Sequence, residues 1–454
     1  MSRTREFARL PGFRDFPPEE MALRNHLFDA WRRVSRRYGF LEYDGPPLEE
    51  LELYTQKSGD EIVGQLYTFT DKGGREVSLR PEMTPSLARI LGERSRAMPK
   101  PIRWFSIPQL FRYERQQRGR LREHFQWNVD LVGADGVEAD AEVLAVALDG
   151  LRELGLGVDD IRARVSDRRL LAALLTSVGV PEGSLLATYA VVDKVEREPR
   201  ERIAERLTEE VGLAQATVGG ILDLFDEPGL EPVARAFAQD PEVTRRVAEM
   251  REFMATLEDL GLADFVEFDL TIVRGLAYYT GIVFEVFDAQ GEFRAICGGG
   301  RYDDLLELVG GEPLSAVGFG MGDVVLADLL AERDLAPAYR RAVDHFIVVI
   351  GDEQASLARR VARALRDAGR SVVYGVRGQS VRKQFSAAAN EGAREVIILG
   401  PDEVAREVAM LRDMESGEER EVPLDGLLNP SPAVREEARS AESGGNRSQA
   451  AGES

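Results

Sequence analysis

Apolar and polar positions alternate along this chain with two different periods, and the switch between them divides it into elements. Leu23, Leu27, Trp31, Val34 and Tyr38 recur at spacings of three and four, the stripe of an amphipathic helix whose start lies at Pro17 to Glu20. That stripe reads as core. In FLEYDGPPLEELELY, Pro46 and Pro47 mark where an extended segment meets another helical pattern, and LYTFTD with EVSLRPE predicts a hairpin turning at Lys72, Gly73 and Gly74. The strand-like runs IRWFSI and WNVDLVG then bracket an arginine-rich stretch. Its arginines are therefore expected in the loop of an antiparallel pair, with Arg112 and Glu114 on the same face of one strand.

A helix is predicted from Ala139 to Leu154, followed from about Arg168 to Leu260 by helical patterns broken at Gly179, Pro181, Gly212 and Pro228, which read as a helical insertion. Strand character returns in VEFDLTIV, TGIVFEVFD and FRAICGGG, and a helical pattern follows AVGFGMGD. From Asp344 the runs HFIVVIG, SVVYGV and EVIILG alternate with helical patterns as a βαβαβ series, the mark of a small separate α/β domain. Beyond Leu428 the chain is rich in Ser, Gly, Pro, Ala and Glu without periodicity, and a disordered tail is expected.

With 454 residues there is material for two or three domains, and 44% apolar with 30% charged residues describes an ordinary soluble protein. No run of eighteen apolar residues exists, which excludes a spanning helix and leaves no membrane partner to expect. The start, MSRTREFARLPGF, has no apolar core of a secretory signal, so a cytoplasmic location is expected. Cys297 alone permits no internal disulfide, and His26, His124 and His345 lack metal-ligand spacing, so no structural zinc site is expected. The net charge of −21 disfavours diffuse binding to nucleic acid, DNA included, yet leaves room for a polyanion held by a few local basic patches.

One such patch contradicts the composition. From Phe111 to Arg122 there are five arginines (Arg112, Arg115, Arg118, Arg120, Arg122) against the single Glu114, and His124, Phe125, Gln126, Trp127 and Asp130 follow. Guanidinium forks suit phosphate and carboxylate, and the adjoining aromatic and polar groups suit a pocket for a base or small molecule. A solvated hairpin tip is the plainer alternative for the charges alone. Four further stretches carry candidate chemistry. In LRPEMTPSLAR, Glu82 and Thr84 either face a ligand or cap the next helix. RGLAYYTGIVFEVF puts Arg274 beside Gly275 and two tyrosines, an unusual core. ICGGGRYDDLL has three glycines before Arg301, fitting either a close backbone approach or a tight hairpin. GFGMGD, from Gly318 to Asp323, is not a dinucleotide fingerprint, because the spacing is G-x-G-x-G and no parallel βαβ unit surrounds it.

Taken together these stretches resemble the histidyl-tRNA synthetases, a family of class II aminoacyl-tRNA synthetases. FRYER and RGRLREHFQWNVD resemble class II motif 2, RGLAYYTGIVFE the first histidine-specific signature and ICGGGRYDDLL the second, over roughly residues 5 to 427. The resemblance implies an α+β fold. A class II antiparallel sheet flanked by helices would occupy 1–333, with the insertion at about 168–260, an anticodon-binding α/β domain at 344–427 and the tail at 428–454. It implies activation of L-histidine with ATP and Mg²⁺, then transfer to the terminal adenosine of tRNA(His), by a homodimer paired through the region around Tyr38 to Val63.

Residue by residue, Arg112 would hold the α-phosphate and the histidine carboxylate, and Arg274 would lie across that phosphate. Glu82, Thr84 and Gln126 would take the amino group; Asp130 and Tyr279 would bind the imidazole, with Tyr278 beside them. Glu114 would face the adenine, with Arg120, Arg122, His124 and Phe125 completing the ATP site. Gln117, Arg118 and Gly119 at the loop tip would meet the acceptor end of the tRNA. Three departures from the common bacterial pattern stand out: Ala277 replaces an aspartate of the first signature, Val325 replaces the motif 3 arginine that stacks on adenine, and His124 and Phe125 occur in reversed order. Rival readings are a histidine-sensing regulatory paralogue of ATP phosphoribosyltransferase and a non-catalytic tRNA-binding scaffold. Such paralogues lack the C-terminal domain and erode the signatures, whereas both are present here.

Overall fold

The first helix, Pro18–Arg37, carries proline at its first position, Glu19 and Glu20 in its first turn and Arg36 and Arg37 in its last, all matched to the helix dipole. Of the predicted stripe, Leu27, Trp31 and Val34 are buried and Leu23 and Tyr38 half-buried. Trp31 is clasped by Phe28 at 5.6 Å and Trp127 at 5.9 Å, both rings nearly parallel to it. The computed structural model describes residues 7–55, 63–115, 117–227, 229–273, 279–304, 307, 313–339, 341–375 and 378–431. These fall into two units, Met1–Pro337 and Ala338–Ser454.

The strands of the first unit are β1 (Leu41–Glu42), β2 (Leu48–Glu50), β3 (Tyr67–Thr70), β4 (Glu76–Leu79), β5 (Ile102–Ser106), β6 (Gln109–Phe111), β7 (Glu123–Val132), β8 (Ile161–Asp167), β9 (Val266–Phe268), β10 (Ile282–Asp288), β11 (Cys297–Arg301) and β12 (Ala316–Gly322). The main sheet runs β1-β5-β7-β12-β11-β10-β8-β9, with β6 added to β7, and β2-β4-β3 form a small second sheet. From β5 to β8 every pairing is antiparallel; the outer pairs β1 with β5 and β8 with β9 are parallel. Helices Val137–Glu153 and Pro241–Asp259 join the first helix over one face, and Leu144, Leu148, Phe253 and Leu257 meet Val129, Val165 and Phe284 of the strands there. The fit is tight: a Cβ on Gly150 would lie 2.3 Å from Cζ3 of Trp127.

The region read as an insertion is helical, with an apolar cluster of its own that includes Leu171, Val192, Ile203 and Ile221. Its final helix also sends Met250 and Phe253 into the core of the sheet.

Two local expectations need correction, and one open alternative is decided. Arg112 and Glu114 are not on a strand: β6 ends at Phe111, and the Glu114 N–H turns back to the Arg112 carbonyl at 2.7 Å, which breaks the ladder. Gly298, Gly299 and Gly300 form no hairpin but the middle of β11, where a Cβ on Gly299 would lie 2.5 Å from the Gly318 carbonyl oxygen. VEFDLTIV is a strand only over Val266–Phe268, because Asp269 Oδ1 accepts the Thr271 N–H at 2.9 Å and turns the chain.

The second unit contains β13 (Val343–Val349), β14 (Val372–Tyr374), β15 (Ala393–Leu399), β16 (Val408–Asp413) and β17 (Glu419–Pro423), ordered β14-β13-β15-β16-β17. The first three are parallel; β16 and β17 form an antiparallel hairpin that the sequence pattern did not announce. Ile347 packs with the Ala355–Asp367 helix, while its neighbours Phe346 and Val348 pack with the Val381–Asn390 side, so both faces of the sheet are covered. The predicted tail lies outside the described residues from 432 onward.

Candidate active site

Strand β7 sets the site. Along it His124, Gln126, Asn128 and Asp130 line a cavity of about 920 Å³, while Phe125, Trp127, Val129 and Leu131 face the core. This is the period-two alternation of a strand between a core and a cavity. The neighbouring strand β12 makes room by having no side chains where they would collide. Gly318 lies opposite Asp130 in the register, and a Cβ on it would be 2.3 Å from Asp130 Oδ1; one on Gly320 would be 2.7 Å from the Gln126 amide. The alternate glycines of GFGMG thus admit the polar side chains of β7.

Glu82 and Thr84 line the same cavity from the start of the Thr84–Arg94 helix. The capping alternative for them is not realised: the N-cap is Met83, and no side-chain cap bond is made there. Arg112 lines it from the turn after β6, with its Nε donating to the Pro81 carbonyl at 2.9 Å, which aims the rest of the fork. Tyr279 is a lining residue too, whereas Arg274 and Tyr278 lie outside the described residues.

At one end of the cavity Asp130 is buried and receives a short hydrogen bond from the Tyr302 hydroxyl. Burial pushes its carboxyl up to about 7, and the Tyr302 bond opposes that rise. Tyr302 was missed in the sequence; it stands one residue after Arg301 in the second signature, so the motif held the signal. Arg301 itself does not enter the cavity. It is buried on Asp140, Nη2 to Oδ2 at 2.8 Å, and donates to the Ala134 and Gly136 carbonyls at 3.0 and 3.1 Å, holding the Val137–Glu153 helix to β11.

At the other end Glu114 pairs with Arg120 at 3.1 Å, and His124, Gln117, Gly119, Val324 and Val325 share the lining. His124 is held neutral, pulled down to about 3 by burial and then by the Arg112 and Arg14 cations. The reversed order of His124 and Phe125 is thereby decided by strand geometry. Phe125 points away from the cavity, packed edge-on against Phe28 at 5.2 Å and Phe16 at 6.0 Å. Arg122 also lies outside the lining, its guanidinium 4.0 Å from the Tyr113 ring centre and its Nε on the Glu114 carbonyl at 3.3 Å. Arg118 is exposed at the loop tip, paired with Glu332 at 3.1 Å.

A second group missed in the sequence braces this end. Arg14 binds Glu123 at 2.8 Å and Asp323 at 2.9 Å, and the second oxygen of Asp323 accepts the Phe125 N–H at 2.9 Å. The start of β7 is so tied to the start of the Asp323–Glu332 helix.

The arrangement offers fixed cations for phosphate and carboxylate at the centre, a buried acid with a phenol at one end and a neutral ring with a carboxylate at the other. Comparison with known proteins gives the family of the chain as a whole. The family model described as Histidyl-tRNA synthetase matches residues 12–322, and that described as Anticodon binding domain matches 344–429. A protein of Opitutus terrae named Histidine--tRNA ligase is 44% identical over 421 residues, 92% of this chain and 96% of that protein. One of the same name from Halobacterium salinarum is 40% identical over 95% of this chain and 99% of its own. The crystal structure of histidyl-tRNA synthetase from Nostoc sp. PCC 7120 superposes with a TM-score of 0.77 at 25% identity, covering 93% of this chain and 98% of that one.

Proposed function

The chain belongs to the histidyl-tRNA synthetase family, and from that premise we propose how its cavity joins histidine to tRNA at the expense of ATP. The reaction has two steps. A histidine carboxylate oxygen attacks the α-phosphorus of ATP, forming an O–P bond as the bridge to pyrophosphate breaks. A hydroxyl of the tRNA terminal adenosine then attacks the activated carbonyl, and AMP leaves.

The first step brings two anions together, so its barrier is mainly electrostatic. Arg112 is the group proposed to bridge the carboxylate and the α-phosphate, its fork already oriented by the Pro81 carbonyl. Arg274 is proposed as the second cation on that phosphate, on the strength of the family motif alone. No protein nucleophile is needed. Glu82, Thr84 and Gln126 suit an ammonium group, offering a carboxylate and neutral oxygens in one cavity. Asp130, with Tyr302 and Tyr279 beside it, suits an imidazole N–H: an amino acid lacking that donor would leave a buried acid with the Tyr302 bond but without its ligand donor. His124 is proposed as the flat partner of adenine and Glu114 as the acceptor facing it; Phe125 and Arg122 drop out of that role because neither lines the cavity.

Mg²⁺ is proposed as the ion that ATP carries, supplying charge neutralisation on its phosphates. Among the described residues no cluster of three His, Cys, Asp or Glu could hold a metal. Homodimer formation through the region around Tyr38 to Val63 is supported by the exposed apolar side chains Leu41, Leu48, Val63 and Phe69 on and beside it. A sedimentation measurement giving only monomer would remove that proposal. No helix among the described residues is long and apolar enough to cross a membrane, and the cytoplasmic location remains a proposal.

The observation that carries this reading is the single cavity shared by Glu82, Thr84, Arg112, Gln126, Asp130 and Tyr279, residues spread over most of the first unit. Histidine-dependent exchange of pyrophosphate into ATP, without tRNA, tests it. Absence of exchange by the folded protein would overturn it and return the histidine-sensing reading.

A further inference from the structure

The cavity holds a cation that none of the motifs accounts for. Arg294 stands in the connection between β10 and β11 and lines the same region as Glu114, Arg120, Val324 and Val325. That connection is tied over the basic loop: the Phe293 ring lies under the Arg118 guanidinium at 4.6 Å, and Arg118 is itself held by Glu332. The residue before Arg294 is thus tied to the basic loop at the cavity mouth.

Arg112 rests on the Pro81 carbonyl and Arg120 on Glu114. Arg294 makes no ion pair or hydrogen bond with any of the described residues, and the charges around it are Arg120 and Arg197, which repel it, and Glu114 and Glu285, which attract it. Glu114 is already taken by Arg120 at 3.1 Å. Burial and Arg120 both work against the Arg294 charge, so an arriving anion would gain from two guanidinium groups facing one space.

Val325 bears on what that anion is. It occupies the position where the motif leads one to expect an arginine, and it lies against the loop tip, since a Cβ on Gly119 would be 2.9 Å from Val325 Cγ2. A valine gives no charge to this end of the cavity, yet the leaving group of the first step is its most highly charged part. We infer that Arg294, together with Arg120, binds the β- and γ-phosphates of ATP and supplies the cation that Val325 does not. The inference rests on the proposed function and adds a residue to it.

Arg294 is exposed and belongs to no apolar cluster, so its removal leaves the fold in place. The test is pyrophosphate exchange by the whole protein, with ATP, pyrophosphate and histidine each varied. Arg294→Ala should raise the KM for ATP and for pyrophosphate by about ten-fold or more and leave that for histidine within about two-fold, while Arg294→Lys recovers most of the loss. An unchanged KM for ATP would overturn the assignment, as would a rise in ATP and histidine KM together, which a merely structural role would give. A rise for ATP without one for pyrophosphate would move Arg294 to the nucleoside and also overturn it. Failure of the unaltered protein to exchange at all would instead strike at the proposed function.

Discussion

Tyr302 donates its hydroxyl to Oδ1 of Asp130 directly over Gly318, so the acid is sealed between β7, β12 and the residue following β11. The seal has a cost to folding. Asp130 rises from 3.8 to about 7, chiefly through burial. A carboxyl whose pKa is raised in the fold favours folding while protonated: its contribution is complete below about pH 4 and is lost as pH rises through about 7. Asp130→Asn should therefore be more stable than the parent at alkaline pH by an amount on the order of 4 kcal/mol, with the gap closing towards pH 4. The same variant should lose histidine-dependent exchange by more than about a hundred-fold, since the imidazole then faces a neutral amide, one of whose two atoms is a donor, in place of a carboxylate. Denaturant melts from acid to alkaline pH check the first part; parallel curves for the two proteins would contradict it.

Arg14 sits between two carboxylates that are almost wholly buried, Glu123 and Asp323. Asp323 is already raised by its burial, with Arg14 the main force opposing the rise. Taking away the cation leaves both acids uncompensated, and Arg14→Ala should cost about 3–5 kcal/mol near neutral pH. The penalty should shrink on acidification as Asp323, already raised by its burial, takes up a proton. Equal destabilisation at pH 5 and pH 8, read by urea unfolding, would mean that lost packing and not charge is responsible.

The sequence made the catalytic sheet legible where one period ran long enough to be read. HFQWNVDL alternates without interruption, and that alternation is what separates His124, Gln126 and Asp130 from Phe125 and Trp127. The family motif, applied without that period, put Phe125 with the ATP ligands. The errors fall where a local hydrogen bond overrides propensity, as at Glu114 and Asp269, while the alternatives left open at Gly299 are decided by a close neighbour, glycine being chosen there for that neighbour and not for a turn. Arg14 and Tyr302 were illegible as functional groups because their partners lie 109 and 172 residues away. Arg294 resembles any surface arginine until the cavity is seen.

Gly318 is the position where that choice of glycine is most exposed to test. An added methyl would lie 2.3 Å from Asp130 Oδ1, 2.7 Å from the Val129 carbonyl oxygen and 3.0 Å from the Tyr302 hydroxyl. Gly318→Ala should raise the KM for histidine about thirty-fold, a penalty of about 2 kcal/mol for overfilling, with the KM for ATP little changed. Gly322→Ala is the control, because a Cβ there meets nothing within 4 Å. Similar histidine KM values in the two variants would show that the imidazole end does not depend on the bare backbone of β12.

His124 allows the adenine end to be separated into shape and charge. Burial, Arg112 and Arg14 pull it down to about 3, so the ring stays neutral through the working range and offers a flat face without a titrating proton. If stacking is its contribution, His124→Phe should hold the KM for ATP within about three-fold, and His124→Ala should raise it about ten-fold, in line with the ~1–3 kcal/mol of a base on an aromatic ring. The exchange rate of the phenylalanine variant should follow pH as the parent does. Should phenylalanine lose as much as alanine, a ring nitrogen of His124 must be bonding to the nucleotide, and the face-on arrangement would have to be abandoned.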